Sequence, residues 1–252
     1  MSKTANKKIL VFEERSAMED FFVSKWIEIA GQAVSVRGHF CAALSGGRTP
    51  EGFFQKLSLA GDAPLWRATH IFMADERMVP PDDDASNFKM MNGALFNKAP
   101  IPRENIHPVP TDCPVDICAQ RYESGIRAFF KLAAGASLFP VFDLVHLGLG
   151  DDGHTASLFP GSDVLKENRR LAAPVPDGNR HDRVTLTYPV LNGARNVIFL
   201  VAGEDKAWVL RRVAEKDPSL PASAVNPQNG RLLVLADKAA ASQLAADSYV
   251  SA

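Results

Sequence analysis

The run Gly150-Asp151-Asp152-Gly153-His154 sets an imidazole two residues after a carboxylate, in a segment whose glycines leave the backbone free to turn. An imidazole oriented by a carboxylate serves as a general base. The segment is expected to run into a helix start that carries His154, with Asp152 as its partner. His39, His70, His107, His146 and His181 stand in no such setting and read as structural. Gly148, Gly150 and Gly153 also match the dinucleotide fingerprint Gly-x-Gly-x-x-Gly. A pyrophosphate would then face Asp151 and Asp152, and no acidic residue ends a second strand about twenty residues on, so that reading is rejected.

Three further clusters suit an anionic ligand. Ser45-Gly46-Gly47-Arg48-Thr49-Pro50 follows an apolar run and precedes a helical pattern, with Thr49 as expected N-cap and Pro50 as first helical residue. Free N–H groups at that helix start, with Arg48 beside them, make an anion site. It is not a Walker A loop. Asp75-Glu76-Arg77 ends a second apolar run; Arg77 is the functional candidate, because a planar guanidinium recognises phosphate or a developing oxyanion, and Asp75 accompanies it. A structural ion pair accounts for Glu76 equally well, and Asp82-Asp83-Asp84 reads as a solvated loop. Lys206 lies in the first turn of a later helix, where a cation is disfavoured unless it answers an anion. Arg183, at the opening of a strand, is a further phosphate-ligand candidate.

The elements that must position these groups are legible as an alternation. Apolar segments at 8–13, 40–44, 70–74, 142–147, 183–187, 197–202 and 231–236 read as strands, and amphipathic stretches at 17–34, 50–59, 86–96, 114–134, 206–215 and 238–247 read as helices. This is the pattern of an α/β protein, a mostly parallel sheet with helices on both faces, whose ligand crevice lies outside the carboxyl ends of the strands. The 252 residues fit one domain, 1–252, with residues 1–7 as a flexible tail, and 99–114, with five prolines, as an irregular excursion. Lys plus Arg total 28 against 29 for Asp plus Glu, so no nucleic-acid or membrane partner is implied. The brief apolar run Ile9–Phe12 suits neither a signal peptide nor a span, which points to the cytoplasm. Cys41, Cys113 and Cys118 lack paired short spacings; neither a disulfide nor a structural metal is expected, and all three read as packing residues.

Together these segments resemble the 6-phosphogluconolactonase family, which is similar in fold to glucosamine-6-phosphate deaminases and ribose-5-phosphate isomerases. The match runs from Ser45 to about Ala240, and its most specific part is Asp152-Gly153-His154-Thr155-Ala156-Ser157-Leu158-Phe159-Pro160-Gly161. The resemblance implies a Rossmann-like, phosphosugar isomerase/deaminase-like fold. It implies a lactonase without metal or other cofactor that hydrolyses 6-phosphogluconolactone in the oxidative pentose phosphate pathway. His154 would activate water, and Arg77 and Lys206 would serve the sugar-phosphate substrate. Arg48 departs from the serine more usual at its place. Two alternatives are a deaminase or isomerase, whose relatives would resemble Asp-Gly-His-Ile-Ala-Phe-Asn-Glu-Pro where this chain has Ser157-Leu158-Phe159-Pro160, and a non-catalytic sugar-phosphate sensor, which needs no base.

Overall fold

Apolar runs without polar alternation suit strands covered on both faces. The computed structural model, which describes residues 6–133, 138–176 and 180–252, places them so. Its strands are β1 (Asn6–Phe12), β2 (Phe40–Leu44), β3 (Thr69–Met73), β4 (Asp75–Arg77), β5 (Ile106–His107), β6 (Leu144–Leu147), β7 (Ala172–Val175), β8 (Arg183–Leu186), β9 (Asn196–Val201), β10 (Arg231–Asp237) and β11 (Val250–Ser251). Eight of them form one sheet in the order β11-β1-β10-β9-β6-β2-β3-β5, and every pair in it is parallel. Every residue of β2 and β6 is buried. Successive side chains point to opposite faces, so both faces of the sheet are covered there.

The helices are α1 (Arg15–Arg37), α2 (Glu51–Ser58), α3 (Ala63–Arg67), α4 (Asn87–Met91), α5 (Val115–Phe129), α6 (Tyr188–Asn192) and α7 (Ala207–Ala214). α1 lays Phe22 and Trp26 into the core, Phe22 stacked on Phe53 of α2 at 4.0 Å between centroids and Trp26 edge-on to Phe40 of β2 at 4.9 Å. It ends at Gly38, whose positive φ of 78° and N–H bond to Val34 O close the last turn.

Several expectations are corrected. The strand expected at 183–187 belongs not to the parallel sheet but to a separate antiparallel one, β4-β8-β7. No helix forms over 238–247. There Asp237 spends its carboxylate on Gly203 N and Ala240 N, turns follow, and β11 then pairs alongside β1. Of the expected tail, Asn6 and Lys7 already pair with Arg231 and Leu232, and residues 1–5 lie outside the described residues. The helix expected over 114–134 stops at Phe129, with Ala134 outside the described residues, and that over 86–96 becomes α4 followed by a π-turn, Asn92–Phe96. The proline-rich excursion supplies the edge strand β5. Cys113 and Cys118 form a disulfide, because Cys113 immediately precedes the N-cap Pro114 and Cys118 lies in the first turn of α5, so that their Cα atoms are 5.7 Å apart. Cys41 is buried and free.

The chain order creates the crevice. From β2 it moves outward through β3 to β5, then returns to β6 on the other side of β2 and proceeds through β9 to β10. Connections leaving the neighbouring strands β2 and β6 therefore diverge, which opens a gap at their carboxyl ends. The loops after β3, β2, β6 and β9 are those that carry the four motifs.

Candidate active site

These loops enclose a cavity of about 680 Å³ that reaches Ser45–Pro50, Asp75, Arg77, Gly148–Asp151, His154, Arg183 and Lys206. Ser45, Gly46, Gly47, Arg48, Thr49, Asp75, Arg77, His154, Arg183 and Lys206 thus line one cavity, with Asp152 against His154.

After β2, Gly46 passes so close to Asn87 that a Cβ on it would fall 2.1 Å from the Asn87 Oδ1, and Gly47 takes a φ of 106° open chiefly to glycine. α2 begins one residue later than expected, with Pro50 as N-cap and no side-chain capping bond from Thr49. After β3, Asp75 is buried and its Oδ2 accepts the Ser157 hydroxyl at 2.7 Å. Glu76 makes no ion pair among the described residues. Its carboxylate accepts the N–H groups of Arg77, Asn87 and Phe88 at 2.7–2.8 Å, which seats the start of α4. Burial, with Asp75 nearby, raises the pKa of Glu76 against those three bonds. The β4–β8 pairing sets Arg77 directly across from Arg183, so two guanidinium-bearing residues share one wall. Arg77 Nη1 donates to Ala85 O at 2.6 Å.

After β6, the loop closes on itself through Gly150 N to His154 O (2.9 Å) and Gly153 N to Gly150 O (3.0 Å). A Cβ on Gly150 would lie 2.0 Å from His154 Nδ1, so the imidazole packs over bare backbone. Asp152 Oδ1 accepts from His154 N at 3.0 Å and lies 2.5 Å from His154 Nδ1. A carboxylate there keeps the proton on Nδ1 and leaves the Nε2 lone pair free. Burial pulls the Asp152 carboxyl upward, but the His154 N–H and ring outweigh it and hold it below the usual carboxylate range. The imidazole also meets Phe159 in a tilted ring contact, 4.6 Å between centroids, and the Arg183 guanidinium lies over the Phe159 ring at 5.1 Å. The helix expected to begin at His154 is absent. Ala156 turns into the left-handed region at φ 48°, a bridge joins Thr155 to Leu158, and the next helical turn is Asp163–Lys166. The imidazole is therefore governed by a carboxylate and an aromatic ring rather than by a helix end.

After β9, Lys206 ends a 3-10 turn, Glu204–Lys206, and serves as the N-cap of α7. Its ammonium pairs with Asp151, and so ties the β9 loop to the β6 loop. Arg15 and Asp237 also line the cavity and were not singled out from the sequence. Arg15 opens α1, so the rule that a cation at a helix start answers an anion applies to it as it does to Lys206. Asp237 had no such signal, because its work is to hold Gly203 N in a distant loop. Away from the cavity, Asp112, Cys113 and Cys118 bring atoms of metal-ligand type within 4.8 Å of one another, the two sulfurs being joined.

Five cationic residues, Arg15, Arg48, Arg77, Arg183 and Lys206, thus line the cavity alongside Asp75, Asp151, Asp205 and Asp237, beside one oriented imidazole, an arrangement that can grip an anion and move a proton next to it.

A family model described as glucosamine-6-phosphate isomerases/6-phosphogluconolactonase matches residues 13–234. The 6-phosphogluconolactonase of Nostoc sp. is 42% identical over 217 residues, across 84% of this chain and 88% of its own. The solved structure of the Thermotoga maritima 6-phosphogluconolactonase is 33% identical, with a TM-score of 0.80 across 92% of this chain and 100% of the other. A monomeric glucosamine-6-phosphate deaminase, at 18% identity and TM-score 0.76, shares the fold, covering 94% of this chain and 99% of its own. The chain belongs to the family of glucosamine-6-phosphate isomerases and 6-phosphogluconolactonases.

Proposed function

We propose that this protein hydrolyses 6-phosphogluconolactone to 6-phosphogluconate, as a cytoplasmic enzyme of the oxidative pentose phosphate pathway. The observation that supports the mechanism is the Asp152–His154 pair, which leaves Nε2 as a base in a cavity that five cationic residues line. His154 Nε2 takes a proton from water as its oxygen attacks the lactone C1. The tetrahedral oxyanion forms, the bond from C1 to the ring oxygen breaks, and the imidazolium returns its proton to that oxygen. Asp152 holds the imidazole in its tautomer and faces the positive charge that develops on it.

Oxyanion stabilisation falls to Arg77. Three of the N–H groups of the Gly150–Thr155 loop, those of Gly150, Gly153 and His154, are spent inside the loop, whereas Arg77 carries a full charge, commits only Nη1 to Ala85, and its Nε bonds to nothing among the described residues. Ser45, Gly46, Gly47, Arg48 and Thr49 hold the phosphate with Lys206, and Asp75 keeps the Ser157 segment in register beneath them. Arg183 supplies further positive charge on the Arg77 wall.

The reading is tested by following loss of freshly made 6-phosphogluconolactone above its spontaneous hydrolysis, with glucosamine-6-phosphate as the parallel substrate. Rapid loss of the lactone and no deamination is the expected result. Ammonia release from the amino sugar without lactone turnover would assign the deaminase chemistry of the same fold.

A further inference from the structure

Arg15 stands at the first position of α1 and reaches the loop that follows β2. Its Nη2 donates to Arg48 O at 3.2 Å and to Thr49 O at 2.9 Å, while its Nε donates to Glu19 Oε1 at 2.9 Å. Glu19 is only 6% exposed, with Lys56 Nζ 3.6 Å from its other oxygen. A Cβ on Gly52 would fall 2.4 Å from Glu19 Oε1, so the first turn of α2 is packed directly on this carboxylate. One buried acid thus ties α1, the loop and α2 together through a planar guanidinium that spans two carbonyl groups, a geometry that a lysine does not reproduce.

The same loop has a one-sided hydrogen-bond pattern. The N–H groups of Gly46, Gly47, Arg48 and Thr49 donate to no acceptor among the described residues, although the loop is packed against Asn87 and Arg15. In a trans peptide the C=O and N–H point to opposite sides, so holding Arg48 O turns Thr49 N–H away from Arg15. Successive unfilled N–H groups form an anion-binding concavity.

We propose that Arg15 is a positioning residue that keeps this loop in its phosphate-receiving form, and that Glu19 acts through Arg15. The inference rests on the phosphate-holding part of the function proposed above. It differs from direct ionic contact, because the group that matters is the fork bridging Glu19 to two loop carbonyls and not the positive charge alone.

The experiment measures Arg15→Gln, Arg15→Lys and Glu19→Gln for KM and kcat with 6-phosphogluconolactone, for the same constants with unphosphorylated glucono-δ-lactone, and for the Kd of inorganic phosphate. Both Arg15 variants are expected to raise phospholactone KM and phosphate Kd by about tenfold, the worth of a lost charge-assisted pair of bonds, with kcat much less affected. Glu19→Gln is expected to shift both constants the same way by a smaller factor. Constants for the unphosphorylated lactone are expected to change by a much smaller factor than those for the phospholactone. Wild-type constants in Arg15→Lys would mean that a point charge suffices and would overturn the proposal. So would a change in Arg15→Gln with none in Glu19→Gln. If the wild-type protein lacks lactonase activity, the functional reading fails, and the phosphate Kd values still decide whether Arg15 orders the loop. Arg15 is substantially exposed, so its variants keep the test open should Glu19→Gln fold poorly.

Discussion

His154 draws its chemical character from neighbours of three kinds: the Asp152 carboxylate on Nδ1, the bare backbone of Gly150 beneath it and the Phe159 ring against it. If it is the base, His154→Asn should retain substrate affinity while kcat falls by about 10²–10⁴, the usual worth of a positioned base. The acidic limb of the kcat/KM profile should vanish with it, once spontaneous hydrolysis is subtracted at each pH. A variant with wild-type kcat and an intact limb would move the base elsewhere. Lys206 makes a different prediction, because a phosphate remote from C1 is held in ground and transition states alike. Lys206→Ala should raise KM about ten- to a hundredfold, by loss of a contact worth about 1.5–3 kcal/mol, and leave kcat nearly unchanged. An unchanged KM would remove Lys206 from the site. His146 shows the opposite case. It is fully buried among Phe22, Phe53 and Phe54, and neither ring nitrogen has a partner among the described residues.

At the scale of elements, the geometry of the proposed site depends on glycines as much as on charged residues. Gly150 is the sharpest instance, since a methyl group there would lie 2.0 Å from the imidazole. Gly150→Ala should therefore push His154 off Asp152 and cost kcat by at least about tenfold, a displacement effect of the kind that a misplacement of about 1 Å produces. Thermal unfolding should change little, because the strain is relieved by moving an imidazole that is partly exposed to the cavity. Wild-type kcat in Gly150→Ala would show that the imidazole position seen here is not the working one. The small β4-β8-β7 sheet matters in the same way, because cross-strand pairing rather than sequence proximity sets Arg77 opposite Arg183.

For the whole molecule, three histidines bias stability with pH. Burial holds His146 down at about 3, and burial with the neighbouring His70 holds His107 down at about 4; burial and His39 lower His70 as well. An unfolded chain protonates its histidines near an ordinary value of about 6.5. The unfolded state therefore binds protons that the folded state refuses, so stability is complete above about pH 6.5 and falls as pH drops from there toward 4 and below. The loss is at most about 1.4 kcal/mol per pH unit for each such histidine, and less for the half-exposed His70 and His107. Tm should decline between pH 7 and 5, and His146→Leu should flatten the decline while raising Tm at pH 5. A Tm that is level from 7 to 5 would contradict this. Metal dependence is a second property of the whole molecule. Of the acids in and beside the cavity, Asp152 is engaged by His154, Asp151 by Lys206, Asp75 by Ser157 and Asp237 by Gly203 and Ala240, so activity should survive prolonged treatment with EDTA. Loss of activity restored by a divalent ion would defeat that expectation.

What the sequence determined by itself follows from local physics. Apolar runs without alternation announced a parallel sheet, and glycine-bearing polar segments at their ends announced loops that bind. The pairing of His154 with a carboxylate two residues before it was legible too, because a side chain can reach that far without knowing the rest of the fold. Arg48, Arg77, Arg183 and Lys206 were likewise legible as cations placed where an anion explains them. The tertiary structure alone decided which of these groups meet which. Glu76 turned out to seat α4, Lys206 found Asp151, Arg15 reached across from α1, and Asp237 served Gly203. Residues 238–247 gave up their helical preference once Asp237 and β11 claimed the backbone around them. Each of these outcomes depends on strand order, which brings the ends of β2 and β6 side by side although about a hundred residues separate them. Periodicity and spacing report on a few turns of chain at a time, whereas such long-range pairings are chosen by the burial of the whole core.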